Sequence, residues 1–230
     1  KLIILSIFFI TALMSLVAID LKIDASSDTL ILENDKDLKY FQLLNKRYKS
    51  PDFLIIAYKP NDYLLSDNVK GNLLSIQKDL ESLKQVESVT NILNIPLLES
   101  SGKSLADILE GVPTLLDNQV EEKKIVEELT SSPLYKNNLV SQDFKTTAIL
   151  INLNENKKLI KLREKKQGYL DLLDERELTF EESFSLKKIN EEITYERNIH
   201  RNKQNNLISD TRKIIEKYKH SGDLYLGGIP

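Results

Sequence analysis

Residues 52–92, DFLIIAYKPNDYLLSDNVKGNLLSIQKDLESLKQVESVTNI, set the fold. Asp52 to Tyr58 is a continuous apolar run of strand length, which predicts a buried strand. Lys59-Pro60-Asn61-Asp62 reads as a turn. Ser66 is placed to cap a helix from Asp67 to Lys84, whose Leu73, Ile76, Leu80 and Leu83 recur at three, four and three. Val86 to Ile92 is rich in β-formers but alternates imperfectly, and Asn94 and Pro96 bound it, so it reads as a second strand. The order is strand, helix, strand.

Downstream, Ser104 and Asp107 resemble a capping box before Leu105, Ile108 and Leu109, with Gly111-Val112-Pro113 as the stop. Asn118 to Thr130 predicts a further short helix with Val120, Ile125, Val126 and Leu129 inward. Leu139 to Ser141 and Lys145 to Leu153 flank Gln142-Asp143-Phe144, a short strand, a turn and a longer strand. Asn154 to His220 then runs without proline and with a single glycine, Gly168. Thr179-Phe180-Glu181-Glu182 is a helix start, so one helix ends near Arg176 and the next begins near Phe180. With the turn centred near Leu178, Leu162 is level with Ile193, Leu170 with Leu186, Leu173 with Ser183 and Phe184, and Ile160 with Tyr195. That describes an antiparallel helical hairpin with arms ~25–30 Å long. His200 to Asn206 carries no apolar residue, and Leu207, Ile208, Ile214, Ile215 and Tyr218 then resume a buried face. One long helix therefore serves first the hairpin and then the sheet. Asp223 to Leu226 is the final strand.

Without the hairpin the order is strand, helix, strand, helices, strand, helix, strand. This is an α+β, ferredoxin-like (split βαβ) sequence, and a right-handed crossover places both main helices on one face.

Upstream, Leu2 to Ile19 is an uncharged stretch of eighteen residues, long enough for most of a bilayer core of ~30 Å. Ser6, Thr11 and Ser15 can each bond back to the helix's own carbonyls. A cleaved signal peptide wants a small residue where Leu16 stands, although Ala18 suits its end. A buried core helix does not need to be apolar all round. A retained transmembrane helix meets both points. Asp24 to Asn34 is a polar exit, and Asp35 to Lys49, with Leu38, Phe41, Leu44 and Tyr48, is an amphipathic helix stopped at Ser50-Pro51.

Composition narrows the function. Charged residues make up 29% of the 230, yet the net charge is -3, which gives no nucleic-acid footprint. The absence of cysteine removes disulfides, thiolate metal sites and cysteine nucleophiles. His200 and His220 are too few for a histidine metal site and lie in polar surroundings. Neither a GxGxxG nor a GxxxxGK[ST] occurs, so no cofactor is expected. The pairs Glu121-Glu122, Glu127-Glu128, Glu181-Glu182 and Glu191-Glu192 sit on lysine-rich helices and read as solvated faces. There is no catalytic constellation, and an anchored enzyme is the least supported class.

The order of features resembles a known family. A transmembrane helix leads into DASSDTLILENDKDLKYFQLLNKRYKSPDFLIIAY, followed by QVESVTNILNIPLLES, KTTAILINL and a closing DLYLGGIP. This is similar to the first membrane span and first extracytoplasmic loop of an RND-superfamily exporter, in the MMPL-like and hydrophobe/amphiphile efflux-3 branch. VESVTN (86–91) and LGGIP (226–230) are its most specific pieces. RELTFEESFSLKKINEEI (176–193) resembles a helical insertion carried by some members. The resemblance implies residues 1–20 as a transmembrane helix, 21–158 with 200–230 as a porter-type domain, and 159–199 as the hairpin insertion. It also implies a bacterial inner membrane location with residues 21–230 on the extracytoplasmic side. The expected partners are the lipid bilayer and a hydrophobic or amphiphilic substrate, moved by proton-driven conformational change through acidic residues of a later span. No proton-relay or substrate-contact residue falls within this stretch, and the chain reads as a fragment. The competing reading is a single-span anchored adaptor or scaffold whose hairpin docks a partner protein or a neighbouring protomer. Whether the hairpin projects or folds back on its own domain is left open by the sequence.

Overall fold

A computed structural model of the chain describes residues 3, 4, 6–9, 11, 40, 44, 52–100, 113–117 and 120–228. Its backbone divides into two compact units, Lys1–Ser50 and Pro51–Pro230. In the first, the described residues Ile3, Ile4, Ser6 to Phe9, Thr11, Tyr40 and Leu44 are all helical. Thr11 Oγ1 donates to Ile7 O at 2.9 Å, the back-bond expected of a hydroxyl on an apolar helix. Among the described residues no helix is long and apolar enough to cross a membrane. The short helix expected at 104–109 lies outside the described residues.

The second unit is an α+β structure built on a four-stranded antiparallel sheet. Its strands are β1 (Phe53–Pro60), β2 (Val86–Thr90), β3 (Thr147–Leu153) and β4 (Gly222–Gly227). Its helices are α1 (Asp67–Glu81), α2 (Glu122–Ser131), α3 (Lys157–Glu175) and α4 (Phe180–Tyr218). The sheet order is β2-β3-β1-β4, and each neighbouring pair is antiparallel. So β1 and β2 run the same way with β3 between them, and β3 and β4 run the same way with β1 between them.

β1 runs two residues further than the sequence suggested. Lys59 and Pro60, read as part of a turn, pair with Asp223 and Gly222 of β4. Proline is tolerated because pairing with β3 has already ended at Tyr58 and Thr147, so no partner there asks for an N–H from Pro60. The imperfect alternation of β2 has a physical cause as well. Val86 opposes Leu153 and Ser88 opposes Asn152, which leaves Glu87 as the extra residue of a β-bulge. The bulge returns both Val86 and Val89 to the core face.

α1 starts where Ser66 Oγ accepts from Val69 N, and it buries Val69, Leu73, Ile76 and Leu80. It ends at Glu81, three residues before the expected Lys84. α4 buries Leu207, Thr211 and Tyr218 in the same core, against Leu54, Ile56 and Tyr58 of β1 and Ile149, Ile151 and Leu153 of β3. The two helices meet at Asp79, whose Oδ2 accepts from Lys217 Nζ at 2.7 Å and from Tyr218 OH at 2.9 Å. Lys217 chiefly, with help from Tyr218, holds the Asp79 carboxyl below the usual carboxylate range. Both helices therefore lie on one face of the sheet.

One core position breaks a rule. Thr211 is fully buried, and its hydroxyl is without a hydrogen-bond partner among the described residues. An unpaired buried hydroxyl costs desolvation with nothing returned. Thr211→Val is therefore expected to raise stability by about 0.5–1 kcal/mol. The urea midpoint measures it, and a fall of similar size would show that the hydroxyl has a partner after all.

Candidate functional site

The chain enters and leaves the second unit at the same end of the sheet. Ile55, near the start of β1, pairs with Gly227 at the end of β4. Phe53 pairs with Asn152, and Leu153 N donates to Asp52 O at 2.9 Å. Gly228 follows at φ +107°, and a Cβ there would lie 2.9 Å from Phe53 O and 3.1 Å from Leu54 Cα. Only a residue without a side chain lets β4 depart so close to the start of β1.

The hairpin grows from that same end. Asn156 Oδ1 caps α3 by accepting from Leu159 N at 3.1 Å. α3 ends at Glu175, and α4 begins at Phe180 behind a full capping box. Thr179 Oγ1 accepts from Glu182 N at 3.3 Å, while Glu182 Oε2 accepts from Thr179 N at 2.8 Å. Arg176 grips both oxygens of Glu182 at 2.7 and 2.8 Å. The sequence predicted the cap but not this fork, which ties one helix end to the next helix start.

Packing in the hairpin is its own. Leu159, Leu162 and Ile193, with Ile189 beside them, form a cluster separate from the main core. Lys158 pairs with Glu196 across it. The expected level of Leu162 with Ile193 is met, but the expected contact of Ile160 with Tyr195 is not. Ile160 is 41% exposed and Tyr195 65% exposed. Counting fixes height along a hairpin, not side. Each of these residues lies two positions, or about 200°, from an inward-facing neighbour.

Direction follows from His200, whose Nε2 sits 3.9 Å from Asp52 Oδ2. Residue 200 of α4 is therefore level with the end of the sheet, and the helix starts at Phe180. Twenty residues at ~1.5 Å each carry the arm about 30 Å beyond that end. The hairpin projects. The main core contains none of its residues. Deleting Lys161 to Arg197 with a short linker is therefore expected to leave the sheet folded, as amide exchange of β1 and β3 would report. Loss of their protection would show that the arm carries the fold.

The arm also supplies a pH test. Arg176 first, then the Thr179 backbone, lower the Glu182 carboxyl from the usual 4.5 to about 2. A depressed carboxylate stabilises above its unfolded value and loses that contribution as pH falls through the folded one. The turn at 176–182 is thus expected to stay closed at pH 4 and to open only toward pH 2. A side-chain NMR titration of Glu182 checks this, and a midpoint near 4.5 would refute the fork.

One acidic pair departs from expectation. The sequence places Glu127-Glu128 on a solvated face, but Glu128 is 2% exposed. Its Oε1 accepts from Leu98 N at 2.7 Å and Glu99 N at 3.1 Å, and its Oε2 from Ser100 N at 2.8 Å and from Ser100 Oγ. α2 thereby clamps the loop that follows β2. Tyr135, whose hydroxyl donates to Pro96 O, lies beside it, and burial followed by the Glu128 charge raises its pKa. A second tie sits in VESVTN. Asn91 is fully buried, its Oδ1 accepts from Leu93 N at 2.8 Å, and its Nδ2 donates to Gln77 Oε1 at 2.9 Å.

Among the described residues no group of three or more His, Cys, Asp or Glu side chains could hold a metal. The described grooves are shallow and follow the outer surface of α4 and the hairpin tip near Leu173, Leu178, Ser183 and Leu186. His220 Nδ1 lies 3.1 Å from Lys217 O on an exposed turn. The arrangement consists of a clamped sheet, entry and exit points of the chain on neighbouring strands at one end, and a helical arm at that same end. Compared with protein-family models, curated proteins and solved structures, the chain matches none.

Proposed function

We propose that residues 21–158 and 200–230 are a ferredoxin-like, porter-type domain of a proton-driven RND-type exporter of hydrophobic or amphiphilic molecules, with 159–199 as a helical hairpin insertion and residues 1–20 as its first membrane span. The domain works by conformational change rather than catalysis, outside the inner membrane of a bacterium. The observation that carries the reading is the pairing of Ile55 with Gly227, which makes the chain enter and leave this unit on neighbouring strands at one end. A loop strung between two membrane spans needs that geometry, whereas a terminal domain on a single anchor does not. The strand order and the shared helix face are those of two interleaved βαβ units.

Two experiments test it. Coding sequence beyond Pro230 is expected to continue into further apolar spans, and a stop codon there would sink the reading. Ser75→Cys, exposed on α1 in a chain without native cysteine, is expected to react with a membrane-impermeant maleimide in intact spheroplasts. Labelling only after lysis would place the domain on the wrong side. The second reading, an anchored adaptor or scaffold, is favoured by one observation, the arm with its own packing cluster. The same stop codon would select it.

A further inference from the structure

The arm is electrically polar along its length. Its tip carries the exposed acids Asp171, Glu175, Glu177 and Glu181, while Glu182 is already neutralised by Arg176. Its root carries the exposed cations Lys157, Lys161, Arg201 and Lys203, which outnumber the exposed acids there, Glu155 and Glu192, while Lys165 and Glu191 lie at mid-arm. Such a rod attracts a second rod laid alongside it head to tail and repels one laid in parallel.

The arm also bears an aromatic stripe. Phe180 is 87% exposed, Phe184 64% and Tyr195 65%. Ile193 marks the side of α4 that faces α3. Nine residues back and two forward from it, at ~100° per residue, place Phe184 and Tyr195 about 180° and 200° away. Phe180 lies about 40° from Phe184 on the same outer side. The stripe therefore looks away from both α3 and the sheet, with nothing of the described domain on it.

We propose that two copies of this chain pair through these arms, antiparallel and back to back along α4, about a twofold axis between Lys187 and Lys188. That register sets Phe180 of each copy opposite Tyr195 of the other. It lays the acidic tip of each copy beside the more cationic half of the other, with Glu177 about 8 Å short of Arg201 along the axis. Lys188 then lies one turn from Glu191 of the second copy, which offsets the meeting of lysines at the axis. The contact is isologous and closes at two copies. It goes beyond the proposed function and does not rest on it.

The chain's lack of cysteine gives a direct test on the full chain in detergent micelles or nanodiscs. Variants Phe180→Cys and Tyr195→Cys are prepared separately, then mixed and treated with a short bismaleimide. The mixture is expected to cross-link at least about tenfold more than either variant alone, because like positions stand about 22 Å apart across the axis. Glu191→Lys is expected to raise the dissociation constant at least about tenfold, and adding Lys188→Glu to restore it. Raising salt from about 0.1 to about 1 M is expected to weaken the pair, as screening requires. All these positions are exposed, so unchanged far-UV dichroism separates lost pairing from lost fold. A monomer by sedimentation, or equal cross-linking of the mixture and the single variants, overturns the proposal. So does a monomer whose probe at position 180 is quenched by brominated lipid, which would assign the stripe to a bilayer surface instead.

Discussion

Gly222→Ala is expected to destabilise the protein by about 3 kcal/mol, a loss of about 6–12 °C in melting temperature for a chain of this size. Gly222 opens β4 at φ 155° and ψ -174°, a backbone region that only glycine occupies freely. It also sits against Pro60 at the far end of β1. A Cβ at this position would fall 2.3 Å from Lys59 O and 2.6 Å from Pro60 Cα. Neither atom is the end of a flexible side chain, so the strand pair itself would have to part. Gly168→Ala is the internal control. A Cβ there meets nothing within 4 Å, and the residue lies inside α3. That substitution is expected to stabilise the arm by about 0.5–1 kcal/mol through helix propensity alone. If the two variants melt alike, the argument from close approach is wrong.

Glu128→Ala is expected to cost about 3 kcal/mol as well, because it strands three backbone N–H groups and one hydroxyl at once. Glu128→Gln keeps the shape and one accepting oxygen but turns an amide N–H₂ toward Ser100 N. About half of the loss is expected for it. Denaturant unfolding gives the magnitudes, and the Ser100 amide signal shows whether the loop has been released. A Glu128→Ala variant with parental stability would mean that water replaces the carboxylate without cost.

The order of strands and helices was legible because each element has a local cause. Ser66 and Thr179 announce helix starts, and the periods of 52–92 change from strand to helix and back. The bulge at Glu87 was visible only as a faltering alternation, since a one-residue slip looks like noise until the partner strand is known. The burial of Glu128 was invisible. Its own helix is rich in lysine, and its partners lie about thirty residues away, where backbone N–H groups leave no mark on sequence. The exposure of Ile160 and Tyr195 was missed for a related reason, since both fit the right height on the arm and only the helical angle distinguishes inside from outside. The arm's projection needed the one long-range pair of His200 with Asp52 to fix its direction.

α4 is continuous from Phe180 to Tyr218, without proline or glycine. Its last third is a wall of the core, and its first half is the arm. A helix of this kind has no identifiable hinge between the two parts. It behaves as a lever with its fulcrum near Asp52. A tilt of about 5° where Leu207 and Tyr218 press on the sheet would swing the tip by about 3 Å over an arm of about 30 Å. Motion gripped at Phe180 would return to the strands with the same gearing, reduced in distance and multiplied in force.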